Sequence, residues 1–190
     1  MTDKFPWYTG AGDDGSTGLL GEGRVRKHHP QPEAFGDVDE ASSAIGFARA
    51  LIGDADVCDA LLQTQRDLYA MMAELAATPE AQAQFRVIDK EKVKQVAALT
   101  DRFGALVNMP REFVCPGDSK AGAVLDVARA VVRRAERRVA RLLDDGLIEN
   151  PQALAYLNRL SSFLYVLARV TDARAGTSSV TLAKDTKPRR

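Results

Sequence analysis

The sequence predicts an all-α protein: an antiparallel five-helix bundle of the ferritin-like up-down type, preceded by a glycine-rich N-terminal arm. Three observations predict it. From residue 33 onward, apolar residues recur every three to four positions, the period of one helix face. No segment alternates apolar and polar side chains as a half-buried strand does, so no sheet is expected in the core. The periodic segments are joined by short connections, which makes neighbouring helices antiparallel. At 190 residues the chain is a single domain of ordinary size, long enough to bury a real core. The expected organisation is an arm over 1–32, a bundle over 33–175 and a flexible basic tail over 176–190.

The arm holds six glycines between Gly10 and Gly23, three prolines (Pro6, Pro30, Pro32) and little apolar periodicity. The first helix runs from about Glu33 to Ile52, with Val38, Ala41, Ile45, Ala48 and Ile52 in one stripe. The second runs from Val57 to Ala77 on Leu61, Leu68, Met72 and Leu75; Thr78-Pro79 ends it, because the residue before a proline avoids helical geometry. The third runs from about Asp89, a plausible N-cap, to Val107, with Val96, Leu99, Phe103 and Leu106. The fourth follows Pro116-Gly117, capped by Asp118 or Ser119. It carries Val124, Ala128, Val131, Ala135, Val139 and Leu142, and stops near Asp145-Gly146, a glycine C-cap. The fifth starts at Asn150-Pro151, a cap followed by proline at the first helical position. It is apolar on most sides, which places it centrally.

Composition excludes several classes. Lys plus Arg and Asp plus Glu each number 26, without the basic excess of a dedicated nucleic-acid binder. No apolar run approaches the roughly 18 residues of a membrane span. Met1 to Pro6 lacks the apolar core of a signal peptide, so a cytoplasmic location is expected. Cys58 and Cys115 are too few for a disulfide framework and read as reduced structural thiols.

Chemistry concentrates in three places. Gly10 to Gly15 matches G-x-G-x-x-G, but a dinucleotide site needs a strand before it and a helix after it inside a βαβ unit. The segment also approaches a phosphate-binding P-loop, with Ser16 where the lysine belongs and Thr17 in register. Neither motif is complete. Two readings stand: a solvated flexible arm, or a glycine-lined cradle whose N–H groups and hydroxyls approach an anion, with Mg²⁺ reconciling Asp13 and Asp14. In the fourth helix Arg129, Arg133, Arg137 and Arg141 recur at i+4, with Arg134, Glu136 and Arg138 beside them. Such a row is either a solvated face or a clamp for a polyanion such as triphosphate. Asn158 lies between Leu157 and Leu160, where a buried amide would bond either backbone or ligand. His28-His29 alone make a poor metal site.

Taken in order, these motifs resemble the PduO-type ATP:cob(I)alamin adenosyltransferases. The resemblance rests on Tyr8 to Leu19, Arg24 to Lys27 with Glu33 to Glu40, Phe113 to Gly117, Ala128 to Arg137, and Tyr156 to Ser161. It implies an enzyme that transfers the 5′-deoxyadenosyl group of ATP to the cobalt of cob(I)alamin and releases triphosphate. It also implies a homotrimer with active sites between subunits, Mg²⁺, a reductase and an adenosylcobalamin-dependent mutase as partners. By resemblance, Thr9, Gly10, Ala11, Gly12, Thr17, Gly18 and Lys27 hold the ATP phosphates. Arg133, Arg134, Glu136 and Arg137 complete the clamp, with Glu136 near Mg²⁺, and Asn158 holds the nucleotide; Arg133 and Asn158 are the catalytic pair. Phe113 resembles the aromatic that excludes the corrinoid's lower ligand, and Asp39 and Arg129 resemble a pair salt-bridged across subunits. The chain departs from the family pattern at Gly10, Ala11, Gln31, Asp118, Asp126 and Ser162. A non-catalytic trimeric relative that binds ATP or a corrinoid is the alternative these departures motivate.

Overall fold

The computed structural model describes residues 7–177 and 179–184. The leader expectation at residues 1–6 and the end of the expected tail, 185–190, lie outside them. Two short strands, β1 (Ser16–Gly18) and β2 (Arg24–Arg26), precede α1 (Pro30–Leu51), α2 (Ala55–Leu75), the one-turn α3 (Gln82–Phe85), α4 (Lys90–Gly104), α5 (Lys120–Asp144) and α6 (Pro151–Arg174). The five long helices are the five expected, and the only sheet among the described residues is the antiparallel β1–β2 pair in the arm.

Capping sets the boundaries. Asp89 accepts from the Lys92 amide, Ser119 from Gly122 and Asn150 from Gln152, each satisfying a first-turn N–H that the helix leaves open. Gly146 takes a positive φ of 68° after α5. α1 begins three residues before the expected Glu33, because His29 caps it and Pro30 fits its first turn. α4 stops at Gly104, so Leu106 of the expected stripe is exposed. On α2 the buried residue is Met71, while Met72 is only partly covered.

α5 packs between α1 and α6, α2 lies on α1, and α4 lies on α6. The ion pairs give the direction: Arg134 of α5 meets Asp37, and Arg138 meets Glu33, so α1 and α5 run antiparallel. Leu157, Leu160, Phe163, Leu164 and Leu167 of α6 are fully buried, each contributing about 1.5–3 kcal/mol. The helix is not apolar all round, however. Asn158, Arg159 and Ser162 form an exposed edge beside α5.

The glycine-rich segment is folded, not a bare loop. Leu20 exchanges backbone hydrogen bonds with Ala76 and Thr78, seating the hairpin on the end of α2. Gly21 makes that seat possible: its φ is 118°, and a Cβ there would press on Thr78. Gln31, buried, donates its amide to the Leu75 and Ala77 carbonyls, closing the same end of α2. At the other end of the chain, Thr181 and Ala183 bond Cys115 and Phe113, so this part of the expected tail lies paired beside residues 113–115. The two cysteines are free thiols, Cys58 half-buried and Cys115 exposed. Among the described residues no helix is long and apolar enough to cross a membrane.

Candidate functional site

The arginines of α5 are not equivalent, because their carboxylate partners differ. Arg129 donates to Asp126 at 2.9 Å, and Arg141 pairs with Asp145 at 3.3 Å. Arg134 turns onto α1, where Asp37 and Glu40 hold it; the Glu40 hydrogen bond, chiefly, raises its already high pKa. Arg138 pairs with Glu33 at 2.9 Å. Of the i+4 row, only Arg133 and Arg137 form no ion pair among the described residues. Both are exposed, and Arg137 donates only to the Arg133 carbonyl. Two guanidinium groups one turn apart therefore have no ion-pair partner among the described residues, where like charges repel unless an anion lies across them.

They line a groove of about 650 Å³ between α5 and α6, together with Glu136, Asn158 and Arg159. Asn158 is exposed rather than buried. Its amide N–H donates to Glu136 at 2.8 Å, and its carbonyl accepts from Arg159 at 2.9 Å. Of the two readings of Asn158, bonding backbone inside the bundle or presenting its amide at the bundle edge, the structure shows the edge position: it falls on the polar side of α6. Arg134 does not reach this groove; its charge is spent on α1. Arg159, not singled out from the sequence beyond its place in the Tyr156 to Ser161 motif, does reach it.

A second cleft, about 350 Å³, is lined by Phe113, Asp126, Arg129 and Tyr165. Phe113 is 86% exposed, a large apolar ring offered to the cleft at heavy hydration cost. A smaller hollow holds Arg129, Arg133, Ser161, Ser162 and Tyr165. It shares Arg133 with the groove and Arg129 and Tyr165 with the cleft. The three form one furrow along the α5–α6 seam, cationic at one end and aromatic at the other. Asp39 is exposed on α1, and within one chain Arg129 pairs with Asp126 instead.

The arm builds its own cationic surface. Arg24 bonds Ser16 and reaches Asp14 at 3.8 Å; Arg26 donates to the Asp14 carbonyl. Ser16 donates to Asp14 from both its hydroxyl and its amide, which lowers that carboxyl's pKa. Gly12 lies so close to Lys27 that a Cβ would meet its ammonium at 3.1 Å. Thr9, Gly10, Ala11, Thr17 and Gly18 flank this point, with Gly10 at a φ of 70°. The loop and Lys27 are thus brought together, and Gly12 leaves room above the ammonium. No hydrogen bond or ion pair among the described residues joins 7–28 to α5 or α6.

Among the described residues no three His, Cys, Asp or Glu side chains cluster to cage a metal. Mg²⁺ does not need a cage: it keeps its waters and uses one or two carboxylates plus phosphate oxygens. Glu136 is the one carboxylate lining the groove.

Comparison with known proteins identifies the family and the fold. A family model described as cobalamin adenosyltransferase matches residues 7–171. A corrinoid adenosyltransferase of Bacillus subtilis is 37% identical over 177 residues, covering 91% of this chain and 90% of that protein. One from Mycobacterium tuberculosis is 39% identical over 172 residues, covering 87% and 88%. The corrinoid adenosyltransferase PduO of Salmonella typhimurium is 35% identical over 174 residues; this chain spans 52% of its length. A variant PduO-type ATP:corrinoid adenosyltransferase from Lactobacillus reuteri, solved with cobalamin and ATP, has a TM-score of 0.87 at 26% identity, covering 94% of this chain and 99% of that one.

Proposed function

Because the chain belongs to the cobalamin adenosyltransferase family, we propose how its residues divide the work of adenosyl transfer between the ends of the α5–α6 furrow. The enzyme adenosylates a corrinoid at the expense of ATP. The cobalt of the reduced corrinoid supplies an electron pair to C5′ of the ribose; the Co–C bond forms as the C5′–O bond breaks, and triphosphate leaves with the bonding pair. The corrin carries the hard chemistry, so the protein's task is placement and charge stabilisation.

Negative charge grows on the leaving triphosphate, and donors already aimed at it stabilise the transition state. Arg133 and Arg137 are those donors on α5, and the uncompensated state of this pair is the observation that carries the assignment. Glu136 would hold Mg²⁺ against the phosphates, the metal supplying charge neutralisation there. Asn158, fixed between Glu136 and Arg159, orients the nucleotide. Phe113 and Arg129 line the corrinoid end. Arg134 acts as a brace between α5 and α1.

The remaining donors come from Lys27 and the Thr9–Gly12 turn of a neighbouring chain, in a homotrimer whose Asp39 faces Arg129 of the next subunit. The separation of arm and groove within one chain supports this assembly. A reductase must deliver the reduced corrinoid, and a mutase is a natural recipient of the product. The test is incubation with ATP, Mg²⁺ and chemically reduced cobalamin while the corrin spectrum is followed. A light-sensitive Co–C product is expected. Its absence with every reductant, despite tight ATP and corrinoid binding, would favour a carrier or sensor.

A further inference from the structure

Asp126 is a buried carboxylate that the reaction does not use directly, yet it lines the aromatic cleft. Both its oxygens are committed. Oδ1 accepts from Arg129 Nε at 2.9 Å, and Oδ2 accepts from Arg169 at 2.9 Å. Arg169 is itself buried and pairs with Asp172 at 2.9 Å. Asp172 accepts from the Ser119 hydroxyl at 2.6 Å, and Ser119 caps α5. Gly122 admits this contact, since a Cβ there would overlap the Asp172 carboxylate. The run Ser119–Asp172–Arg169–Asp126–Arg129 therefore ties the helix cap to the cleft wall through three buried charged groups, Asp172, Arg169 and Asp126. At its two ends, Ser119 is half-buried and Arg129 keeps 30% of its side chain exposed.

We propose that Asp126 is a positioning residue for corrinoid binding: it locks the Arg129 guanidinium by its Nε edge, so that the remaining N–H groups are held at the cleft beside Phe113, shared between Asp39 of the next subunit and the corrinoid. A corrin ring is rimmed with amide carbonyls, which accept from such N–H groups. An unbraced arginine must be immobilised on binding; one already held by a buried carboxylate is preorganised, which conserves affinity. Arg111 and Glu112 also line this cleft, but among the described residues neither is held by a buried partner as Arg129 is. The proposal rests on the corrinoid occupying this end of the furrow.

The experiment is a double-mutant cycle with Asp126→Asn and Arg129→Gln, measuring the KM for cobalamin and for ATP beside thermal melts. Asparagine turns an N–H toward one arginine and removes the charge that holds both. Asp126→Asn alone is expected to raise the cobalamin KM about tenfold and leave the ATP KM unchanged. In the Arg129→Gln background the same change should add nothing. An equal increase in both backgrounds, or an increase in the ATP KM as well, marks a role in folding alone and overturns the proposal. If Asp126→Asn does not fold, Arg129→Lys decides. Lysine keeps the charge but not the held fork, so it should bind cobalamin as poorly as glutamine does; rescue by lysine overturns the proposal. An Arg129→Gln enzyme with normal cobalamin KM refutes instead the corrinoid's place at this end.

Discussion

Arg133→Ala removes one of two uncompensated guanidinium groups from the groove. No ion pair among the described residues holds Arg133 and its side chain is exposed, so the fold should change by no more than about 0.5 kcal/mol. The loss falls on the leaving triphosphate. A forked guanidinium makes two charge-assisted hydrogen bonds, worth about 1.5–3 kcal/mol each. Even the lower end of that range sums to about 3 kcal/mol, or at least about 100-fold in rate. The assay is spectrophotometric formation of the Co–C product at saturating ATP and cobalamin, with kcat and both KM values measured separately. Arg138→Ala is the matched control: it deletes an arginine five residues further along the same helix, whose charge Glu33 already takes. It should stay within about threefold of the parent, since exposed ion pairs contribute at most about 1 kcal/mol. A folded Arg133→Ala enzyme with a rate within threefold of the parent would refute the reasoning.

Three further outcomes follow from the same contacts. Gln31→Ala opens the Leu75 and Ala77 carbonyls and should cost about 2 kcal/mol, lowering Tm by about 4–8 °C; an unmoved calorimetric transition would remove the amide from that role. Gly122→Ala sets a Cβ against the Asp172 carboxylate and should cost about 1–3 kcal/mol in a urea melt; equal midpoints would show the approach to be loose. Glu74 is buried, and burial raises its pKa. The folded chain then keeps a proton the unfolded chain releases, so this contribution is full below the ordinary carboxylate range and is lost as pH climbs through the raised value. Glu74→Gln should therefore gain stability over the parent as pH rises, and parallel curves of Tm against pH would contradict this.

The bundle was legible because its helices carry their own punctuation. Asp89, Ser119, Asn150-Pro151 and Gly146 stand where local chemistry demands a start or a stop. The hairpin was not, because its strands are three residues each and its order comes from Arg24 and Arg26 reaching back across the turn to Ser16 and Asp14. The arginine row shows the sharper limit. Its spacing was visible, but which members are neutralised depends on Glu33, Asp37 and Glu40, about a hundred residues away on α1. Arg134, grouped with the clamp by resemblance, is turned onto Asp37 and Glu40 within one chain, a pairing that spacing alone does not reveal. For Asn158 the sequence leaves the interior and the bundle edge both open, because Leu157 and Leu160 flank it and only the packing of α5 against α6 defines the polar edge on which it lies.

The central claim is that the arm of one subunit closes triphosphate onto the guanidinium pair of another. A structure of the assembled protein with ATP and Mg²⁺ tests it most directly. The account predicts phosphate density between Lys27 and the Gly10–Gly12 turn of one chain and Arg133 and Arg137 of its neighbour. Phosphates bound elsewhere, with both arginines still facing solvent, would contradict it.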